Sequence, residues 1–227
     1  MKRYIAGLLL LGLAFAPDPL PRADITGQED EGSYTWTSTD TISINAGHVY
    51  EVNLTYNQSS SRWAAIYGNI TGNIVLADQD NHYFYIWTVT DPSGSVVYAS
   101  DAVTSLTLNG MQPATAADMP GWLEPAAGAS DSWSNTFTNT ETFTSPTGLT
   151  VANAPYTTTW QNGAQGTEFK TYSLKDASGN LVWAALVNND KTSYSGGKAD
   201  YQLLVPEDGT VGNTGTATTY NLFLELK

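Results

Sequence analysis

The chain has 227 residues and no cysteine, so no disulfide can staple it and no thioether lipid anchor can form. Basic residues are scarce. Nine Lys+Arg face 22 Asp+Glu, a formal net charge of −13, and none lies between Arg62 and Lys170. A nucleic-acid binder needs a basic footprint to neutralise phosphates, which excludes that class of partner. There is no G-x-S-x-G elbow, no H-E-x-x-H, no phosphate-binding glycine loop and no dinucleotide fingerprint. The two histidines are His48, opening an alternating run, and His82, in the turn Asp78-Gln79-Asp80-Asn81-His82. A catalytic triad would need one of them beside a serine and a carboxylate. Among the many acids no pair stands out for glycoside hydrolysis, and no catalytic residue is assigned.

What is abundant is the vocabulary of strands and turns. Thr, Ser and Asn number 30, 18 and 16, and Trp, Tyr and Phe number 7, 13 and 6. This usage fits β structure with a hydroxyl-rich wet face. Charged residues are only 14% against 41% hydrophobic, so the chain is no disordered acidic tail. At the N-terminus, Lys2 and Arg3 precede an apolar run from Tyr4 to Ala16, broken by Pro17, Pro19 and Pro21. As a helix that run spans roughly 20 Å, too short for a hydrocarbon core of roughly 30 Å, so residues 1–23 read as an export signal. Ala14-Phe15-Ala16 has the form of a cleavage site but is followed by Pro17, and cleavage after Ala23 is the preferred alternative. Removing 1–23 takes away three bases and Asp18, leaving 6 Lys+Arg against 21 Asp+Glu, or −15. Such a surface resists undirected self-association. The expected location is extracellular or cell-surface, with no membrane anchor after cleavage.

Short alternating runs separated by turn residues recur along the chain. From His48 to Tyr56, Tyr50, Val52, Leu54 and Tyr56 alternate with Val49, Glu51, Asn53 and Thr55, predicting a half-buried strand. Leu222, Leu224 and Leu226 repeat the pattern against Asn221, Phe223 and Glu225, which reads as the wet side. Tyr83 to Val89 is apolar or aromatic on both sides, predicting a central strand covered on both faces. Phe84–Ser100 and Phe169–Ala185 echo each other at an offset of 85, each with a D-x-S-G turn (Asp91 and Gly94, Asp176 and Gly179). Both predict a hairpin, by duplication or by convergence. The expected fold is all-β, a large antiparallel β-sandwich of jelly-roll or immunoglobulin-like type with roughly 12–14 strands. Its parts are a signal peptide (1–23), an N-terminal arm (24–40) and a sandwich domain (41–227). The domain carries a long Ala/Pro-rich loop over 109–130, with Trp122 either a lid over the core or an exposed contact.

Two clusters of hard oxygen ligands, Asp78-x-Asp80-Asn81 and Glu29-Asp30-Glu31, make calcium conceivable, although neither matches a calcium-loop pattern and solvated surface charge explains both; no cofactor is assigned. Asn53, Asn57 and Asn69 open N-x-S/T tripeptides without proline, so glycans are physically admissible there.

The segment Trp63 to Asp78, then Trp87, then Gly94 to Ser100, resembles a group of uncharacterised secreted proteins of thermophilic archaea and bacteria. Ala129 to Ser132 with Asn135 to Phe137, Asp200 to Gln202 through Val205 to Glu207, and Tyr220 to Leu226 resemble it too. The resemblance implies an exported β-rich surface protein. A looser similarity of architecture links the chain to subunits of archaeal threads, bundling pili and biofilm-matrix fibres, which implies a homopolymer joined by a donated N-terminal strand. Residues 24–39 would be the donor, with Tyr34 and Trp36 at strand spacing, unless that segment is the first strand of its own sandwich. The function expected is a structural cell-surface or filament subunit; the alternative is a carbohydrate- or surface-binding module with Trp122 stacking on sugar.

Overall fold

The computed structural model describes residues 20, 22–32, 41, 43, 45–54, 57–126, 128–209 and 217–227. Its strands are β1 (Trp63–Gly68), β2 (Gly72–Ala77), β3 (Tyr83–Val89), β4 (Val96–Ser100), β5 (Gln112–Pro113), β6 (Asn139–Thr144), β7 (Thr150–Gln161), β8 (Ala164–Lys175), β9 (Leu181–Leu186), β10 (Lys191–Thr192), β11 (Lys198–Ala199), β12 (Tyr201–Pro206) and β13 (Asn221–Glu225). One helical turn, α1 (Trp133–Thr136), is capped by Ser132. The all-β class is the expected one, and the described residues form thirteen strands against the roughly 12–14 expected.

Seven strands form one antiparallel sheet in the order β13-β4-β9-β8-β7-β6, with β5 beside the end of β8. Side chains of β4 alternate between two cores. Val96 and Tyr98 join Phe143, Tyr172, Leu174 and Phe223 on one face. Val97 and Ala99 join Trp183, Ala185, Leu203 and Val205 on the other. The antiparallel ribbon β1–β12 lies over this second face, where Trp63 meets Trp183 edge-on at 5.8 Å. The loop over 109–130 is a lid, as its apolar content allows. Met111 enters the first core, Ala114, Met119 and Leu123 the second, and Trp122 packs half-buried against the second.

Four sequence expectations change here. Residues 48–54 form no strand and lie exposed, Leu54 at 90%, because no described residue pairs with them; Tyr56 falls outside the described residues. Among the described residues strand β3 pairs only with β2 and is exposed along nearly its whole length, while the strands covered on both faces are β4 and β9. Of the two echoing segments, the second forms a hairpin, with Thr171 opposite Ala185 through Lys175 opposite Leu181. In the first, the turn forms, with Asp91 accepting from the Ser93 N–H at 2.9 Å, but β3 and β4 enter different sheets. Finally, on β13 it is Asn221, Phe223 and Glu225 that are buried, because both faces of the sheet are covered.

Glu225 is held without a cation. Its carboxylate accepts from the Tyr98 hydroxyl at 2.7 Å, the Ser145 hydroxyl at 3.0 Å and the Thr147 N–H at 2.8 Å. Burial, and then the bond to Glu225, push the Tyr98 phenol well above its ordinary range. Residues ahead of the arm close the edge beside β13. Leu20 bridges to Leu106, Arg22 bridges to Phe223, and the Ala23 N–H donates to Leu222 at 2.7 Å.

Glu225→Ala leaves three donors facing a dry cavity and is expected to cost about 2–4 kcal/mol, while Glu225→Gln costs less; thermal unfolding of the two variants checks this ordering. A chain starting at Asp24 loses the pairings of residues 20–23 and is expected to melt below one starting at Pro17, by about 5–10 °C for roughly 2–3 kcal/mol of lost ladder bonds and apolar burial.

Candidate functional site

The hairpin β2–β3 is built from a run rich in β-branched and aromatic residues, Ile74-Val75-Leu76 against Tyr83-Phe84-Tyr85-Ile86-Trp87. Its register places Ile74 opposite Trp87, Val75 opposite Ile86 and Leu76 opposite Tyr85. One face therefore carries Ile74, Leu76, Tyr85 and Trp87, with the Tyr85 and Trp87 rings 4.7 Å apart, while a register shift after Leu76 sets Tyr83 opposite Ala77 on the other side. That side also carries Val75, Phe84 and Ile86. All eight are exposed, Phe84 at 84%. Among the described residues no third strand pairs with either edge. The base of the hairpin is tied to the body: the buried Asp200 accepts from the Ile70 N–H at 2.7 Å, and a side chain at Gly72 would meet Leu226 at 3.2 Å.

At the tip, Asp78 organises the turn. Its carboxylate accepts from the Asp80 N–H at 3.0 Å and the His82 N–H at 2.8 Å, and contacts the His82 ring nitrogen Nδ1 at 2.8 Å. Bonds from the His82 backbone, then from its side chain, hold the Asp78 carboxyl below its ordinary range. Asn81 takes a left-handed φ of 62° that Asn tolerates. Ligand atoms of Asp78, Asp80 and His82 lie within 4.8 Å of one another, so His82, rather than Asn81, completes the acidic group noted in the sequence. Hydrogen bonding within the turn accounts for this arrangement. In the other acidic group Glu31 accepts from the Tyr67 hydroxyl at 3.0 Å, which, ahead of the contact with Tyr194, pushes the phenol up to about 12. His48 lies exposed, its ring 6.2 Å from that of Tyr50.

The concave surface lies elsewhere. An open polar groove of about 550 Å³ is lined by Gln161, Gln165, Thr167, Glu168, Lys191 and Lys198. A smaller recess of about 260 Å³ holds Glu141, Lys170, Tyr172 and Asn188. Here Lys170 pairs with Glu141 at 2.7 Å and lies 4.6 Å from the centre of the Tyr156 ring, and the Tyr172 hydroxyl also donates to Glu141. Three further cations are held by acids: Arg62 by Asp131 at 2.7 Å, Lys175 by Asp118 at 2.8 Å and Lys191 by Glu168 at 3.8 Å.

Of the residues singled out in the sequence, Asn53, Asn57 and Asn69 are all exposed. Tyr34 and Trp36 lie outside the described residues. Trp122 is half-buried, its carbonyl accepting from Arg62 Nε at 2.8 Å. Sequence reasoning missed the aromatics that do reach solvent. Trp87 was read as buried, and Trp160, at 60% exposure, was not singled out; only the strand pairing reveals either.

Fold and surface together define an all-β sandwich protein from which an apolar two-stranded ribbon protrudes. Comparison of the chain with protein-family models, with curated proteins and with solved structures found no match.

Several carboxyls are held below their ordinary values in the folded state. At Asp118 the cause is the Lys175 ammonium, then Thr115. At Glu141, burial, which alone would raise it, is outweighed by Lys170 and Tyr172. Groups with depressed folded-state values contribute stability above the ordinary values of 3.8 and 4.5 and lose it as the pH falls through the folded-state values. The melting temperature is therefore expected to hold between about pH 7 and 5 and to drop below about pH 4. A melting temperature that climbs on acidification to pH 3 would mean that relief of acidic self-repulsion outweighs these bonds.

Proposed function

We propose that the protein is a secreted structural subunit of a cell surface, extracellular matrix or filament, which associates with further copies of itself and has no catalytic role. The observation that carries this reading is the β2–β3 ribbon, apolar and exposed on both faces. An isolated two-stranded hairpin is marginal in water, and single chains seldom expose so large an apolar patch. The export signal, the hydroxyl-rich surface and the resemblance to secreted surface proteins of thermophiles support the same reading. Strong net acidity favours directed contacts over random ones. Glycans at the exposed Asn53, Asn57 and Asn69 would suit an extracellular surface. Sedimentation velocity and negative-stain microscopy of the purified chain are expected to show species that grow with concentration. Monomers at every concentration would overturn the reading.

A second reading, a carbohydrate-binding module, is favoured by one observation: Trp160 stands out from β7 at 60% exposure, an aromatic face open to stacking. It moves the stacking role from Trp122 to Trp160. Trp160→Ala is then expected to weaken retention on a polysaccharide column without lowering the melting temperature. Trp122→Ala is expected to lower the melting temperature instead, by about 1–3 kcal/mol of lost apolar burial.

A further inference from the structure

We infer that residues 48–54 of one copy add as a third strand to the β2–β3 ribbon of a second copy, so that each chain carries one donor segment and one acceptor ribbon. The inference rests on the self-association reading and names the two surfaces that would meet.

Three observations converge on it. The first is the acceptor. The eight apolar side chains of the ribbon, 44% to 84% exposed, leave both of its faces open, which single chains seldom do. The ribbon also offers open backbone edges, and an extended segment supplies hydrogen bonds and alternating side chains together.

The second is the donor. Residues 48–54 have the alternation of a strand, with Tyr50, Val52 and Leu54 on one side and Val49, Glu51 and Asn53 on the other. Yet in the folded chain they pair with no described residue, and Val49 and Leu54 are almost wholly exposed. An antiparallel register with Val52 opposite Tyr85 sets Tyr50 against Trp87, on the stretch of β3 beyond its register shift. It also sets Val49 opposite Thr88. The aromatic face of the ribbon then receives the apolar side of the segment.

The third is charge. In a chain of net charge −13, strands β2 and β3 carry no charged residue, and residues 48–54 carry only Glu51. Two copies meeting through these surfaces avoid the acidic remainder of each other, whereas other approaches bring like charges together. Donor and acceptor are different surfaces, so the contact is heterologous and open-ended, as a linear assembly requires.

The test uses the intact chain and two kinds of variant. Val52→Pro removes a ladder N–H from a segment that pairs with no described residue, so its melting temperature is expected to match the parent while its assemblies are lost in sedimentation velocity. Because the protein has no cysteine of its own, Val49→Cys and Thr88→Cys copies mixed under mild oxidation are expected to give a disulfide-linked heterodimer in excess of either homodimer. If the parent assembles and Val52→Pro assembles equally well, the donor assignment is overturned and the self-association reading survives. If the parent itself stays monomeric, both fall. If a chain carrying both cysteines closes on itself in dilute monomers faster than it links to another copy, the segment covers its own ribbon and the second-copy contact is overturned.

Discussion

Strands β4 and β9 lie in the middle of the large sheet with both faces dry, and the rest of the body is arranged to keep them so. A strand buried on both sides must be apolar at successive positions, as Val96-Val97-Tyr98-Ala99 and Val182-Trp183-Ala184-Ala185 are. One cover is the β1–β12 ribbon with α1 and the loop over 109–130; the other comes from Leu106, Met111, Phe143, Val151 and the chain ahead of the arm. Without disulfides, this double layer and its ladder bonds supply the stability. Most polar groups that enter it are bonded, as when the Trp133 indole donates to Ser173 at 2.9 Å and the Leu204 N–H donates to Thr171 at 2.9 Å; the buried Trp183 indole N–H has no partner among the described residues.

The β2–β3 ribbon obeys the same composition rule and meets the opposite fate. Its strands are as apolar on both faces as β4 and β9, but among the described residues no further strand or layer covers them. A second layer on each side of the ribbon would restore the condition that the central strands enjoy.

Much of the local structure was legible. The D-x-S-G turns form at both echoing positions, with Gly94 and Gly179 at φ of 85° and 89°, because an Asp cap and a left-handed glycine are local requirements. The strand at 221–225 was legible too. Its burial was not, because alternation separates two faces without saying whether the second is wet, and Glu225 shows that a carboxylate can sit on a dry face when three donors converge on it. The surface role of the ribbon was hidden for a related reason: a strand apolar on both sides signals cover, and whether the cover comes from the same chain is not a local property.

The sequence by itself determined an acidic, cysteine-free, all-β chain, the positions of most turns, and the two-faced character of its apolar strands, because these follow from side-chain chemistry and from periods of a few residues. Only the tertiary structure decided which strands pair, that β4 and β9 rather than β3 are buried on both faces, and that residues 48–54 pair with no described residue. Pairing is a competition among distant segments for the same edges and the same dry space, and its outcome depends on all of them at once.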